Sequence, residues 1–348
     1  IEEFQAIGGA GLMLDVKTGE IVSMVSLPDF DPNNISTATP AARFNRATLG
    51  VYEMGSTFKT FTMAIALDYG TAKLSDTYDA THAIRYGGFT ISDSHPENRW
   101  MTVPEIYVHS SNIGTVKMVM DVGIERQKRF LRKLGLFEKI NIELPETAHP
   151  LIPSPWHDIN MMTVSYGHGI SVTPLHLVRA IASLVGDGNL IRPTLVKKGD
   201  MLLGESPEAI VKPEVVRQVR KLMRLVVQYG TGRKADVAGY RVGGKTGTAE
   251  KVKGRGYAAN DKLASFIGIF PSEAPRYLVL TLLDEPRGNK STYGFATGGW
   301  VAAPVANRVI SRMAPLYGIP PIYEVQDEVI SPEEEQRRRK GFIHAVSY

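Results

Sequence analysis

GSTFKTFTMAIALDYG, residues 55–70, predicts a helix that begins beside a serine and ends at a glycine. Apolar residues recur with helical spacing through 58–69, and Gly70 is a typical stop signal. Ser56 and Lys59 stand at positions i and i+3, so their side chains share one face of that helix. A serine hydroxyl becomes a useful nucleophile when a neighbouring base removes its proton. Ser56 is therefore a candidate nucleophile with Lys59 as its base. The alternative is a capping serine followed by a solvated lysine.

Two further features would make this pair chemically competent. A lysine acts as a base only in its neutral form, and burial and nearby positive charge both lower its pKa. Lys245 is a candidate source of that charge. The free N–H groups and the dipole at a helix N-terminus also favour a developing oxyanion beside Ser56.

A second motif, Ser110-Ser111-Asn112, follows a short helical pattern at 103–109. A hydroxyl and an amide at this spacing can relay a proton to a leaving group and hold a substrate amide. Serine and asparagine are also preferred helix caps, so a purely structural role for Ser110 and Asn112 is the alternative.

A third motif, Lys245-Thr246-Gly247-Thr248, lies in a β-rich segment directly after two glycines. Glycine in a strand permits close approach of a ligand to the backbone, and a peptide can pair with an exposed edge as an additional strand. Lys245 and the hydroxyls of Thr246 and Thr248 are candidate ligands of a substrate carboxylate. The alternative is an edge strand that its lysine protects from aggregation.

The pattern along the whole chain predicts strands at both ends and helices between them. Strand-like runs cover 8–15 and 19–26, joined as a hairpin, and later 240–250, 263–270 and 277–283. Helical patterns cover 58–69, 103–109, 112–122, 124–134, 174–185, 213–229 and 300–313. Residues 27–50 are expected to be loop and 71–102 a turn-rich region. This order indicates a mixed α+β fold, in which distant segments form one sheet and a helical lobe is inserted between them.

The composition is that of an ordinary globular protein and excludes several function classes. The 348 residues are 43% hydrophobic and 22% charged, with a net charge of +4. The absence of cysteine excludes disulfides, thiolate nucleophiles and cysteine-bound zinc. The histidines show no His-Glu-x-x-His spacing, so we expect neither a metal nor another cofactor. No nucleic-acid-binding motif is present.

The ends of the chain carry weaker signals. No stretch of about 18 apolar residues and no signal peptide is present. The chain starts at Ile1 without an initiator Met, and we interpret it as a processed or truncated product from which a membrane anchor is absent. The basic run at 337–340 predicts a solvated tail, with contact to an anionic surface as the alternative.

The three motifs occur once each and in the order Ser-x-x-Lys, Ser-x-Asn, Lys-Thr-Gly, a set typical of penicillin-binding proteins and class A β-lactamases. The second motif here is Ser-x-Asn and not Ser-Asp-Asn. Further segments extend the resemblance over about residues 8–314: GLMLDVKTGEIVSMVSLPDFDPN, VYEMGSTFK, SSNIGTVKM, SYGHGISVTPLHLVRA, GGKTGTAEKV and YGFATGGWVAAPVANRV. The chain is similar to class B penicillin-binding proteins and most similar to their division-specific branch, where Glu53 replaces the Pro common in elongation enzymes. His168 departs from the Tyr or Gln frequent in the family, and we interpret it as a structural histidine.

The resemblance implies the penicillin-binding protein and serine β-lactamase-like fold. It has a five-stranded, largely antiparallel sheet flanked by helices, with an all-helical lobe at about 71–230. The transpeptidase domain would cover residues 1–320 and a C-terminal tail residues 321–348. The resemblance implies that Ser56 is the nucleophile and Lys59 its general base, while Ser110 and Asn112 form the proton relay and substrate clamp. Lys245, Thr246, Gly247 and Thr248 would form the carboxylate-binding strand. The backbone N–H groups of Ser56 and Thr248 would form the oxyanion hole, and Tyr293 and Phe295 an aromatic wall.

The implied activity is a D-Ala-D-Ala transpeptidase that cross-links peptidoglycan stem peptides during septal wall synthesis and is acylated by β-lactams. It would act at the periplasmic face of the inner membrane, with stem peptides, β-lactams and divisome membrane proteins such as a lipid II polymerase as partners. One alternative is a DD-carboxypeptidase, and another is a β-lactamase that uses Glu143 or Glu146 to activate water. A β-lactam sensor or a divisome scaffold with an idle site is also open. The lifetime of the acyl-enzyme discriminates between these functions.

Overall fold

The computed structural model describes residues 1–197, 209–253 and 256–323, with side chains for all of these except 252, 253 and 257–260. Within these ranges the strands are β1 (Gly8–Asp15), β2 (Ile21–Leu27), β3 (Thr77–Asp79), β4 (Ile84–Tyr86), β5 (Phe89–Ile91), β6 (Trp100–Thr102), β7 (Gly243–Lys253), β8 (Gly256–Phe270) and β9 (Tyr277–Asp284). The α-helices are α1 (Pro40–Arg43), α2 (Lys59–Asp68), α3 (Val103–Val108), α4 (Asn112–Val122), α5 (Ile124–Lys133), α6 (Asp158–Ser165), α7 (Pro174–Val185), α8 (Pro213–Tyr229) and α9 (Gly298–Leu316).

The main sheet joins the two ends of the chain. Its strand order is β2-β1-β9-β8-β7, and every neighbouring pair is antiparallel. The predicted five-stranded sheet and the mixed α+β class are confirmed. The first hairpin turns where the Asp15 carboxylate accepts hydrogen bonds from the backbone N–H groups of Lys17 and Thr18, at 2.9 and 3.1 Å. β7 is an edge strand of this sheet, so one side of its backbone is free of strand partners in the described sheet.

Helices cover both faces of the sheet. Successive side chains of a strand point to opposite faces, and β9 shows this clearly because every one of its residues is buried. One face packs into the larger hydrophobic core with α2, α7 and α8, through Leu278, Leu280 and Leu282. The other face packs against α9, through Tyr277, Val279 and Leu283. The sheet is therefore the middle layer of the molecule, and α2 and α9 approach its edge from opposite sides.

The inserted lobe is mostly helical and also contains two small antiparallel ribbons. β3 pairs with β6, and β4 pairs with β5. These strands have three residues each, too short for an alternating pattern to be recognised in the sequence. The turn-rich region predicted at 71–102 is thus partly strand, and the lobe is not entirely helical. Helix α6 was not predicted either, because its eight residues show little amphipathic periodicity.

Along the described residues, no helix combines the length and apolar character needed to cross a bilayer. The basic run at 337–340 and most of the predicted tail lie outside the described residues. The predicted domain boundary at 320 stays a prediction.

Candidate active site

The three sequence motifs meet at one cleft between the edge strand β7 and the helical lobe. The cleft has a volume of about 940 Å³. Its lining includes five of the residues singled out from the sequence, namely Ser56, Ser110, Asn112, Thr246 and Thr248. Lys59 and Lys245 do not line it. Both lysines are fully buried, at 0% exposure, beneath its floor.

Ser56 lies in a short 3-10 helix, Gly55–Phe58, that continues directly into α2. Gly55 has a φ of +53°, a backbone conformation that favours glycine. A Cβ atom added there would lie 2.5 Å from the Thr248 carbonyl oxygen. Likewise, a Cβ atom on Gly247 would lie 2.5 Å from Ser265 Oγ and 2.6 Å from the Met54 carbonyl oxygen. These two glycines therefore allow the Ser56 segment to pack directly against β7.

Lys59 lies where its spacing from Ser56 predicts a general base. Its Nζ lies 3.1 Å from Ser56 Oγ and 3.0 Å from Ser110 Oγ, and it donates to the Ser110 carbonyl oxygen. Burial lowers the pKa of Lys59 well below its usual value, the positive charge of Lys245 lowers it further, and Asp93 opposes the shift. A neutral amine has two N–H donors and one lone pair. In that state it can donate to both Ser110 oxygens and accept the Ser56 proton.

Ser110 connects the two buried lysines. Its Oγ lies 3.0 Å from the Nζ of Lys245 as well as 3.0 Å from that of Lys59. Ser110 has a φ of +61°, which is uncommon for a residue with a side chain and occurs mainly where surrounding contacts enforce it. Burial lowers the pKa of Lys245 to about 7. Ser56, Lys59, Ser110 and Lys245 thus form one hydrogen-bonded chain that can carry a proton from the nucleophile across the floor of the cleft.

Asp93 holds the second motif in place, and no motif in the sequence pointed to this residue. Its carboxylate accepts from Ser111 Oγ at 2.7 Å, from the Ile113 N–H at 3.0 Å and from the Asn112 N–H. It therefore occupies the N-terminus of α4, where an anion is favoured by the helix dipole. The Asn112 side chain donates to the Ser92 carbonyl oxygen at 2.9 Å. The loop at 92–93 is thereby fastened to the Ser-x-Asn turn.

The hydroxyls of β7 face the cleft, but the lysine of that strand does not. Thr246 Oγ1 lies 2.7 Å from Thr231 Oγ1, and Thr248 Oγ1 accepts from the Gly298 N–H at 3.0 Å. Each threonine therefore keeps hydrogen-bonding capacity toward the cleft. Lys245 Nζ is buried against Ser110, and direct binding of a carboxylate by its ammonium stays a prediction.

The two residues of the predicted aromatic wall, Tyr293 and Phe295, do not line the cleft. Tyr293 is 80% exposed, and Phe295 lines a separate pocket of about 210 Å³. Both rings contact Trp300, with centroid distances of 5.7 Å for Tyr293 and 5.5 Å for the stacked ring of Phe295. Trp300 itself lines the cleft. The aromatic residue that faces the cleft at this end is therefore Trp300, with the two predicted rings behind it.

His168 and Tyr166 line the cleft on the side of the lobe. Burial, together with the charge of Lys59, lowers the pKa of His168 to about 4, so the ring is neutral near pH 7. Burial and the charge of Glu53 raise the pKa of Tyr166 to about 12. Their rings pack together at a centroid distance of 5.2 Å. His168 therefore lies at the cleft surface, where the charge of Lys59 influences its pKa.

The carboxylates considered for a β-lactamase reaction lie away from the cleft. Glu143 accepts hydrogen bonds from Thr194 Oγ1 at 2.5 Å and the Leu195 N–H at 2.9 Å. Neither Glu143 nor Glu146 lines the cleft, and Glu250 on β7 is the carboxylate that does so among the described residues. Among the residues that the structure describes, no group of three or more His, Asp or Glu residues is arranged to hold a metal ion.

The sequence of this chain matches a known protein family. The model of the penicillin binding protein transpeptidase domain family matches residues 9–311. A Caulobacter vibrioides protein named probable peptidoglycan D,D-transpeptidase FtsI is 43% identical over 329 residues, covering 91% of this chain and 55% of that protein. The Neisseria flavescens probable peptidoglycan D,D-transpeptidase PenA is 34% identical, covering 91% of this chain and 78% of that protein. The chain therefore spans little more than half the length of the Caulobacter relative.

Two solved structures share the fold. The apo transpeptidase domain of Burkholderia pseudomallei penicillin-binding protein 3 superposes with a TM-score of 0.81 at 33% identity, covering 92% of this chain and 91% of that one. Penicillin-binding protein 3 from Mycobacterium tuberculosis, complexed with ampicillin, superposes with a TM-score of 0.83 at 27% identity, covering 93% of this chain and 75% of that one.

Proposed function

Because the chain belongs to the penicillin-binding protein transpeptidase family, we propose that it is a peptidoglycan D,D-transpeptidase that works through an acyl-enzyme on Ser56. The observation that carries the proposal is the hydrogen-bonded chain from Ser56 through Lys59 and Ser110 to Lys245 at the floor of the cleft. The two Caulobacter and Neisseria relatives are named for this activity, which supports the same conclusion.

In the first half-reaction, neutral Lys59 takes the proton of Ser56 as Oγ attacks the carbonyl carbon of the terminal D-Ala-D-Ala peptide bond. The resulting oxyanion would be held by the backbone N–H groups of Ser56 and Thr248, of the kind that stabilise tetrahedral intermediates. When the C–N bond breaks, the departing D-alanine nitrogen receives a proton through Lys59 and Ser110. The products are a Ser56 ester and free D-alanine.

In the second half-reaction, the amine of a neighbouring stem peptide attacks the ester carbonyl carbon. The amine loses a proton to the same relay, the C–O bond breaks, and Ser56 recovers its hydrogen. Charged Lys245 fixes the Ser110 hydroxyl during both halves. The neutral state of Lys59 and the charged state of Lys245 are therefore both required, which fits a lysine pair in which one member has the more strongly lowered pKa.

A substrate peptide would lie along β7 as a further strand, because that strand is the edge of the sheet. Thr246 and Thr248 would hold the terminal carboxylate. β-Lactams would acylate Ser56 by the same attack on their strained amide carbonyl. Neither Glu143 nor Glu146 lines the cleft, and Glu250, the carboxylate that does so among the described residues, stands opposite Lys262 in the β7–β8 register. This arrangement favours transfer to an amine over rapid hydrolysis.

We also propose that the whole protein acts in septal wall synthesis at the periplasmic face of the inner membrane, with divisome membrane proteins such as a lipid II polymerase as partners. The name of the Caulobacter relative supports this placement. A fluorescent fusion of the full-length protein should concentrate at midcell in dividing cells. Uniform distribution along the cell wall, with normal division after depletion, would contradict the septal assignment.

The enzymatic proposal is tested by labelling with benzylpenicillin and mass spectrometry of the digested protein. The wild type should gain one penicilloyl group on the peptide that contains Ser56. Ser56→Ala should remain folded by circular dichroism and gain none. A folded Ser56→Ala variant that is still labelled at the wild-type rate would assign the nucleophile elsewhere.

A further inference from the structure

The cleft offers hydroxyls for a substrate carboxylate, and the lysine of the same strand lies buried behind them. Lys245 is fully buried, and its Nζ is directed to Ser110 Oγ at 3.0 Å and to the Thr246 carbonyl oxygen at 3.4 Å. A carboxylate is nevertheless attracted most strongly by a cation that it can approach. A cation exposed at the cleft surface would therefore add to the attraction of the carboxylate.

Among the described residues, three lysine or arginine side chains line the cleft: Arg233, Lys234 and Lys262. Lys262 stands directly opposite Glu250 in the β7–β8 register, so their charges largely offset each other. Arg233 and Lys234 are exposed, and no carboxylate of the described part of the chain forms an ion pair with either. The net positive charge of the cleft is therefore concentrated at the Arg233–Lys234 end.

Lys234 is held at a defined place in that end of the cleft. Its Nζ lies 4.2 Å from the centroid of the Trp300 ring, which is the geometry of a cation–π contact. The short 3-10 helix Arg233–Ala235 that carries it follows α8 after only a few residues. The aromatic ring thus limits the positions available to a lysine that would otherwise be free in solvent.

A chain of contacts connects Trp300 to the carboxylate-binding hydroxyls. At Gly299, beside Trp300, an added Cβ atom would lie 2.5 Å from the Thr231 carbonyl oxygen and 3.7 Å from Thr246 Cγ2. Thr231 Oγ1 is in turn 2.7 Å from Thr246 Oγ1. The N-terminus of α9 reaches the same point, since the Gly298 N–H donates to Thr248 Oγ1 at 3.0 Å. The positive end of this helix therefore adds to the charge of Lys234 beside the two threonines.

We propose that Lys234, positioned over Trp300 and assisted by Arg233, supplies the positive charge that captures the terminal carboxylate of the acyl donor. This inference rests on the proposed function, because it names the specificity-determining residues of that same site. Lys245 serves the proton relay through its contact with Ser110. Because Lys234 is at the surface, its charge acts during the approach of the substrate and is screened by salt.

The test compares benzylpenicillin with its methyl ester, which carries no carboxylate. Second-order acylation rates are measured for the wild type, Lys234→Gln, Lys234→Arg and, as a matched control, Lys221→Gln, an exposed lysine of α8 outside the cleft. For the free acid we expect Lys234→Gln to lower the rate about threefold, within the range of exposed ion pairs, and to lower the acid-to-ester ratio by the same factor. Lys234→Arg should keep most of the ratio, and Lys221→Gln should match the wild type.

Salt provides a second readout. Raising the ionic strength should slow acylation of the wild type by the free acid and affect Lys234→Gln less, because one of the attracting charges is gone. In the double variant Arg233→Gln/Lys234→Gln, the second-order rate of acylation by the free acid should fall about tenfold. Equal losses with acid and ester, or an unchanged acid-to-ester ratio in the double variant, would overturn the inference.

Binding without acylation separates this inference from the proposed function. In a Ser56→Ala background, ligand-observed NMR can measure the dissociation constants of benzylpenicillin and its ester. The acid should bind more tightly than the ester, and Lys234→Gln should remove most of that preference. A wild type that is never acylated would contradict the transpeptidase proposal, while this comparison still decides whether Lys234 recognises the carboxylate.

Discussion

Lys59→Arg perturbs the proposed general base while it retains a long cationic side chain at the same position. Lys59 Nζ lies 3.1 Å from Ser56 Oγ, which is within the reach of a general base. An arginine cannot give up a proton near pH 7. The loss of a positioned base costs about 10² to 10⁴ in rate, or about 2.7 to 5.4 kcal/mol of transition-state stabilisation. We expect the lower end, about a hundredfold, because Ser110 and Lys245 remain in place.

The assay is stopped-flow acylation by a fluorescent penicillin across a range of pH. The chemistry needs neutral Lys59, so the wild-type rate should rise with pH through the folded-state pKa of Lys59, well below the usual lysine value. This rising limb should disappear in Lys59→Arg.

Lys59→Met is the control for folding, because it removes the base without placing a permanent charge in a site of 0% exposure. We expect it to be at least as stable as the wild type and as slow to acylate as Lys59→Arg. An arginine variant within about threefold of the wild-type rate, or one that keeps the rising limb, would refute the assignment and leave Lys59 only an orienting role.

Three further predictions concern the neighbours of Lys59. Asp93→Asn should keep one oxygen as acceptor for the backbone N–H groups at the start of α4, with its NH₂ donating to Ser111 Oγ, but remove the charge that raises the pKa of Lys59; acylation measured against pH should then show its rising limb at lower pH, and an unmoved limb would mean that Asp93 is only a cap. Lys245→Met should lower the acylation rate at least about tenfold, by loss of the relay, without lowering the melting temperature at pH 7. The folded-state pKa of about 7 lies below the usual 10.5, so the unfolded chain binds more protons between these values, and the unfolding free energy of the wild type should rise with pH across that window more than that of the variant. Thr246→Val should slow acylation by free penicillin about tenfold and by the methyl ester much less, since one hydrogen bond to a charged group is lost; equal slowing would indicate a general distortion of β7.

The main elements of the fold could be predicted because their patterns are long and continuous. The hairpin at the N-terminus, the three C-terminal strands and helices such as α2, α7 and α8 each present a run of apolar residues with a clear period and a recognisable stop. The ribbons β3–β6 and β4–β5 escaped prediction, since three-residue strands depend on partners that are distant or joined by a tight turn. Pairing, and not local preference, determines such elements.

The site was predictable to the extent that motif spacing fixes side-chain positions. Ser56 and Lys59 share a helical turn, so their contact follows from the sequence alone. The burial of Lys245 does not follow from the sequence. Alternation along β7 places Thr246 on the cleft side and Lys245 on the opposite side, but it does not show how deeply that opposite side is buried. Asp93, Trp300 and Lys234 also escaped prediction, since each reaches the site from a loop or helix end whose position depends on tertiary packing. They became recognisable only through the contact of Asp93 with Ser111 and of Lys234 with Trp300, and through the close packing of Gly299, beside Trp300, against Thr231.

The fate of the Ser56 acyl-enzyme decides whether this chain transfers its acyl group to an amine. The purified chain is given a small thioester donor with and without a D-amino acid as acceptor, and mass spectrometry follows both the Ser56 peptide and the released products. We expect an acyl group on Ser56, release of the donor thiol, and an amide product whose formation grows with acceptor concentration at the expense of hydrolysis. With penicillin alone, the adduct should persist for minutes or longer, because Glu143 and Glu146 do not line the cleft and Glu250, which does, stands opposite Lys262. An adduct on another residue, or penicillin hydrolysis at several turnovers per second that added D-amino acid leaves unchanged, would contradict this expectation.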